Sequence, residues 1–119
     1  MAEVPANIFL MEKFINVGID GISIGSNDLT QLILGTDRDS QKLATVFDER
    51  NEAVLMALEM AVTTAKRKGI TCSICGQGPS EYPELTKKLV QWGITSVSVS
   101  PDMIDVTREI IANIEGTNK

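Results

Sequence analysis

Short apolar runs alternate with longer amphipathic stretches along most of the chain, and glycine marks many of the junctions. Residues 21–25, 71–75 and 95–99 alternate apolar with small polar side chains, the period of a half-buried strand. The stretches between them follow the helical period. Residues 7–17 carry Ile8, Phe9, Phe14 and Ile15 and stop at Gly18. Residues 29–34 form a short helical run ending at Gly35, after a Ser26-Asn27-Asp28 cluster suited to an N-cap. Residues 52–68 give the clearest stripe, with Val54, Leu55, Leu58, Ala61, Val62 and Ala65 on one face and Gly69 as the stop. Residues 81–92 place Leu85, Leu89 and Val90 inward and end at Gly93. A last helix starts near Pro101, at an N1 position, and runs to about Ile114 ahead of a polar tail. Residues 1–5 read as the end of a further strand, and the polar stretch 36–51 as a long functional loop.

Strand and helix in alternation predict parallel βα units of the α/β class, four in number with the incomplete first strand. Three segments opening Gly18-Ile19, Gly69-Ile70 and Gly93-Ile94 match position for position as stop, turn and strand. Strand parity adds a constraint. Ile22, Ile24, Cys72, Ile74, Val97 and Val99 share one face, and Ser23, Ser73 and Ser98 the other. An open doubly wound sheet is apolar on both faces, so one apolar and one small polar face suits a barrel with its helices outside. Cys75, Gly25 and Glu3 have inward parity at the C-terminal strand ends, where (β/α)8 barrels of the TIM type carry their active sites. Such barrels take about 200 residues or more, so 119 residues predict half of one, occupying 1–115 with a tail at 116–119. Two open edges then call for a partner: a second copy, or the rest of a larger enzyme.

Composition narrows the chemistry. The chain contains no histidine, which removes a Ser-His-Asp triad, a Cys-His pair, the usual zinc sites and a phosphohistidine from its own repertoire. A net charge of -5 points away from nucleic acid. The basic cluster Lys66-Arg67-Lys68 suits the last turn of a helix, where positive charge complements the dipole. No apolar run reaches the roughly 18 to 20 residues of a membrane span, and no export leader is evident, so the expected setting is the cytoplasm. Cys72 and Cys75 leave opposite faces of one strand, which disfavours a disulfide between them.

Candidate chemistry collects at the strand ends. Glu3 and Asp28 offer hard oxygen ligands of the kind Mg²⁺ accepts, or are an ordinary terminal glutamate and a capping aspartate. Cys75 is a candidate acid/base or nucleophile, or a small buried apolar residue, the role assigned to Cys72. Gly25-Ser26-Asn27 can present main-chain N–H groups to an anion, or simply make a tight turn. Gly76-Gln77-Gly78-Pro79-Ser80 is a similar turn with Ser80 as N-cap. Trp92, Tyr82 and the methionines fall at helical spacing as core or interface residues.

Several ordered motifs carry a family resemblance. They are Ser23-Ile24-Gly25-Ser26-Asn27-Asp28-Leu29-Thr30-Gln31-Leu32, then Gly35 with Asp37-Arg38-Asp39-Ser40, Phe47-Asp48-Glu49-Arg50-Asn51 and Ile74-Cys75-Gly76-Gln77-Gly78-Pro79-Ser80. Together they resemble the phosphoenolpyruvate-utilising enzymes, and within that family the phosphoenolpyruvate synthases (pyruvate, water dikinases). Other branches tend to have Gly-Thr-Asn-Asp and Cys-Gly-Glu at the matching places. The resemblance spans Glu3 to about Ile114. It implies the C-terminal half of a phosphoenolpyruvate/pyruvate-binding (β/α)8 barrel. It also implies a transferase that makes phosphoenolpyruvate from pyruvate and ATP, in gluconeogenesis, through a phosphohistidine on another domain. Glu3 and Asp28 would be the Mg²⁺ ligands. Gly25, Ser26, Asn27 and Asp28 would contact substrate, and Cys75 would move a proton at the methyl carbon of pyruvate. The phosphohistidine domain, the ATP-binding domain and the first half-barrel are expected as partners outside this chain, which alone is expected to be inactive. A different reading of the same residues is a catalytically inert half-barrel that persists as a structural or self-associating module.

Overall fold

The computed structural model describes residues 1–35, 48, 50–76 and 78–117. Of the loop expected over 36–51, only Asp48, Arg50 and Asn51 are described; the rest of that expectation, Gln77 and the last two residues of the tail lie outside the described residues.

The elements run α1 (Pro5–Phe9), α2 (Met11–Asn16), β1 (Gly21–Gly25), α3 (Ser26–Leu34), α4 (Glu52–Lys68), β2 (Thr71–Cys75), α5 (Gly78–Glu81), α6 (Pro83–Trp92), β3 (Ser96–Val97), a 3₁₀ turn (Pro101–Met103) and α7 (Ile104–Thr117). The three strands form one parallel sheet in the order β1-β2-β3. The N-terminal segment adds a single parallel bridge between Ala2 and Ile24, closed by Ala2 N to Ser23 O at 2.7 Å and Gly25 N to Ala2 O at 3.0 Å. The fold is therefore mixed α/β around a small parallel sheet.

One face of that sheet is covered. Ile24, Cys72 and Ile74 are buried against Leu29, Val54, Leu58, Val62, Leu85 and Leu89 from the helices. On the opposite face Ser23, Ser73 and Cys75 are half-buried, so the parity read from the sequence separates a helix-covered face from an uncovered one. α4 forms where the stripe predicts, because its ends are specified as well as its face. The Asn51 side chain accepts from Ala53 N at 2.9 Å, and three basic residues fill the last turn before Gly69.

The structure corrects several sequence expectations. The helix expected over 7–17 is two, beginning at Pro5 and broken at Leu10 (φ −104°, ψ 16°). Ile8, Met11 and Ile15, spaced by three and four, take the buried stripe. Phe9 and Phe14 flank it and stay 75% and 45% exposed. α3 begins at Ser26 with Gly25 as its N-cap, because β1 runs straight into the helix; Ser26-Asn27-Asp28 is its first turn, not a cap. The helix expected over 81–92 is divided at Tyr82, which precedes Pro83 and takes an extended conformation (φ −125°, ψ 93°). Ser80 accordingly lies inside α5 and is not an N-cap. β3 is only Ser96–Val97, shorter than the expected 95–99; just before it the Thr95 hydroxyl accepts the Cys72 N–H at 3.0 Å. α7 continues past Ile114 to Thr117.

The repeat does not pair position for position. Gly21 pairs with Thr71 and Ser73 with Ser96, where alignment on the glycines would match Gly21 to Cys72 and Ser73 to Val97. Facing residues share a side of the sheet, so Ser23, Ser73 and Ser96 form one row and Ile24, Ile74 and Val97 the other. Ser96, not Ser98, is the ladder partner of Ser73.

Candidate functional site

The C-terminal strand ends bring together the N-terminal segment, the β1–α3 turn and the β2–α5 turn. Ladder pairing of Ala2 with Ile24 sets Glu3 beside Gly25. Its main chain is fixed by the Asn7 side chain, whose Oδ1 accepts from Glu3 N at 3.3 Å and Val4 N at 3.2 Å. The Glu3 side chain then lies across Gly25: a Cβ there would sit 2.7 Å from Glu3 Cγ and 3.2 Å from Oε1. Asp28 is exposed in the first turn of α3, where an acidic residue complements the helix dipole. Ser26 is buried beneath it and Asn27 is half-buried.

Gly76 docks the second turn onto the first. Its φ is +124°, and a Cβ would overlap Ser26 Oγ and come within 3.4 Å of both Asn27 N and Oδ1. Any side chain at position 76 would separate the two turns. Cys75 immediately precedes it, half-buried, its thiol donating to the Ile24 carbonyl at 3.5 Å. Cys72 faces the helices, and burial pushes its thiol up to about 11. Both cysteines are free.

Glu3, Gly25, Ser26, Asn27 and Cys75 are thus adjacent, and Asp28 follows directly on the same turn. Among the described residues, no group of three or more His, Cys, Asp or Glu side chains forms a metal cage. A cleft of about 410 Å³ lined by Gly76, Ser80, Glu81, Ser100, Asp102 and Met103 opens beside the Cys75 turn, with Ser100 N donating to Ser80 Oγ at 2.9 Å.

A further cluster is centred on Arg50, in the stretch read from the sequence as a functional loop, just before the cap of α4. Arg50 Nε and NH2 contact the two carboxylate oxygens of Asp48 at 3.1 and 3.2 Å, and NH1 contacts Glu84 Oε1 at 3.2 Å. The guanidinium carbon stands 4.4 Å over the Tyr82 ring centroid. Arg50 holds the Asp48 carboxyl below its ordinary range, and Glu84 is lowered by its own main-chain hydrogen bond and by Arg50. The Phe47-Asp48-Glu49-Arg50-Asn51 motif marked this stretch in the sequence, but not its contacts with Tyr82 and Glu84.

A parallel sheet whose polar groups, glycine turns and one thiol gather at the carboxyl ends of neighbouring strands defines an α/β protein with a candidate site on that face. The chain belongs to the family described as PEP-utilising enzyme, PEP-binding domain, whose profile matches residues 1–116. It is 56% identical over 117 residues to a probable phosphoenolpyruvate synthase of Staphylothermus marinus, 51% over 115 to the phosphoenolpyruvate synthase of Helicobacter pylori, and 46% over 115 to that of Escherichia coli. Each match covers 97% of this chain but 14% of the relative, so the chain spans about a seventh of the length of the curated relatives it matches. No helix among the described residues is long and apolar enough to cross a membrane.

Proposed function

We propose that this chain supplies the C-terminal half of the phosphoenolpyruvate/pyruvate-binding barrel of a phosphoenolpyruvate synthase, residues 1–115 forming four βα units. The observation that carries the reading is the docking of Gly76 on Ser26 and Asn27, with Glu3 across Gly25 and the Cys75 thiol on the Ile24 carbonyl. It juxtaposes a carboxylate, a turn of main-chain N–H groups and a thiol on three adjacent strand ends.

The residues present fit a small hard dication. Glu3 and Asp28 contribute carboxylate oxygens, and the absent Cβ of Gly25 leaves the Glu3 carboxylate its place. Mg²⁺ is satisfied by one or two carboxylates, with water and substrate oxygens completing its shell. When bound it would stabilise negative charge developing on the enol oxygen of pyruvate. Asn27 and the main chain of Gly25 and Ser26 orient the substrate carboxylate at the head of α3, while Cys75 takes the proton from the methyl carbon and returns it in the reverse direction. Phosphoryl transfer from ATP is carried by a phosphohistidine on a domain outside this chain, which has no histidine of its own. Free thiols agree with a cytoplasmic setting.

Mixing this chain with the preceding portion of a phosphoenolpyruvate synthase is expected to give phosphoenolpyruvate dependent on ATP, pyruvate and Mg²⁺. Cys75→Ala is expected to lower that rate by about 10² or more. Full activity in Cys75→Ala would remove the thiol from the mechanism. Failure of the mixture, with a well-folded chain, would favour an inert self-associating half-barrel, a reading supported by the apolar side chains exposed on α1 and α4.

A further inference from the structure

The α5 turn that follows Cys75 is tied to its surroundings on several sides. Toward β3, Ser80 Oγ accepts from Ser100 N at 2.9 Å. Toward α6, the buried Thr86 hydroxyl donates to Pro79 O at 3.3 Å, and Tyr82 N closes on Gly78 O at 2.8 Å. Toward α4 the tie is Arg50. It lies just before Asn51, the cap of α4, and reaches 34 residues along the chain to Glu84 while covering the Tyr82 ring. Tyr82 is the hinge residue between α5 and α6.

Screening by water makes exposed ion pairs weak contributors to stability, so this cluster has little value as a brace for the fold. Its geometry is nonetheless specific. Asp48 takes the guanidinium through both oxygens and again through the Arg50 main-chain N–H at 2.8 Å, which fixes the plane. With the plane fixed, one remaining nitrogen meets Glu84 and the face meets Tyr82. A lysine could supply the charge but neither the fork nor the flat face.

We propose that Arg50 is a positioning residue for Cys75. Forked between Asp48 and Glu84 and laid over Tyr82, it anchors the α5–α6 junction to α4 and thereby restrains the turn that leaves the thiol. The inference rests on the reading of Cys75 as the working thiol, but its test requires no turnover.

In the full 119-residue chain, iodoacetamide alkylation of Cys75 and Cys72 would be followed separately by fragment mass spectrometry, from neutral to alkaline pH. Arg50→Met and Arg50→Lys are both expected to speed alkylation of Cys75 by about threefold or more, as local opening of the turn exposes the thiol. Cys72 should stay slow and the far-ultraviolet circular dichroism unchanged. A Cys75 rate within about twofold of the parent in both variants, or a parental rate in Arg50→Lys, overturns the proposal. Should Arg50→Met not fold, Glu84→Gln cuts the same tie from the other end and is held to the same criterion. If the reassembled enzyme proves inactive, the catalytic reading fails while the alkylation comparison still decides the role of Arg50.

Discussion

At the scale of single residues, the chemistry depends on what is missing as much as on what is present. Gly76 has no side chain, and two βα turns touch because of it. Gly76→Ala combines a left-handed backbone with overlap against Ser26, and is expected to destabilise the chain by about 1–3 kcal/mol, read from the urea midpoint. A midpoint unchanged from the parent would mean the turns can part without cost. The two cysteines differ for a reason visible in the sequence: strand parity sends Cys72 to the helices and Cys75 to the uncovered face. The Arg50 fork was not visible, because it depends on an aromatic ring and a carboxylate some thirty residues away and on no local periodicity.

At the scale of elements, α4 is expected to respond to its cap and its core face in different degrees. Asn51→Ala should cost about 1 kcal/mol, and Leu58→Ala, fully buried under the sheet, about 2–5 kcal/mol. Equal losses in thermal denaturation would contradict the assignment of Asn51 as cap. The bounds of β1, β2 and α4 were legible because hydrophobic period and glycine stops agree there. The N-terminal helices were less so: Phe9 and Phe14 are as apolar as Ile8 and Met11, and only packing decides which pair turns inward. The division of α6 from α5 had a local sign in Pro83, whereas the early end of β3 at Val97 had none. Of the candidate site, parity gave the common side of Glu3, Gly25 and Cys75, and the Ala2–Ile24 bridge was needed to put Glu3 beside Gly25. The contact of Gly76 with Ser26 required the turns to be folded.

At the scale of the whole molecule, the chain has two sheet edges and large apolar side chains in solvent, among them Phe9, Val17 and Met56. An apolar groove of about 260 Å³ is lined by side chains of α1, α3 and α4. Surfaces of this kind are ordinarily covered. The isolated chain is expected to self-associate with rising concentration in multi-angle light scattering, and to give a defined complex when the first half-barrel of a phosphoenolpyruvate synthase is added. A strict monomer at all concentrations would show that neither edge seeks a partner. The pairing register within the sheet also constrains any such partner, since facing residues share a side: Ser23 with Ser73 and Ser96, Ile24 with Ile74 and Val97. A partner strand that meets β3 one residue too high or too low would present its polar side chains to the helices and its apolar ones to the open face, so the parity of the ladder itself selects which strand can extend the sheet.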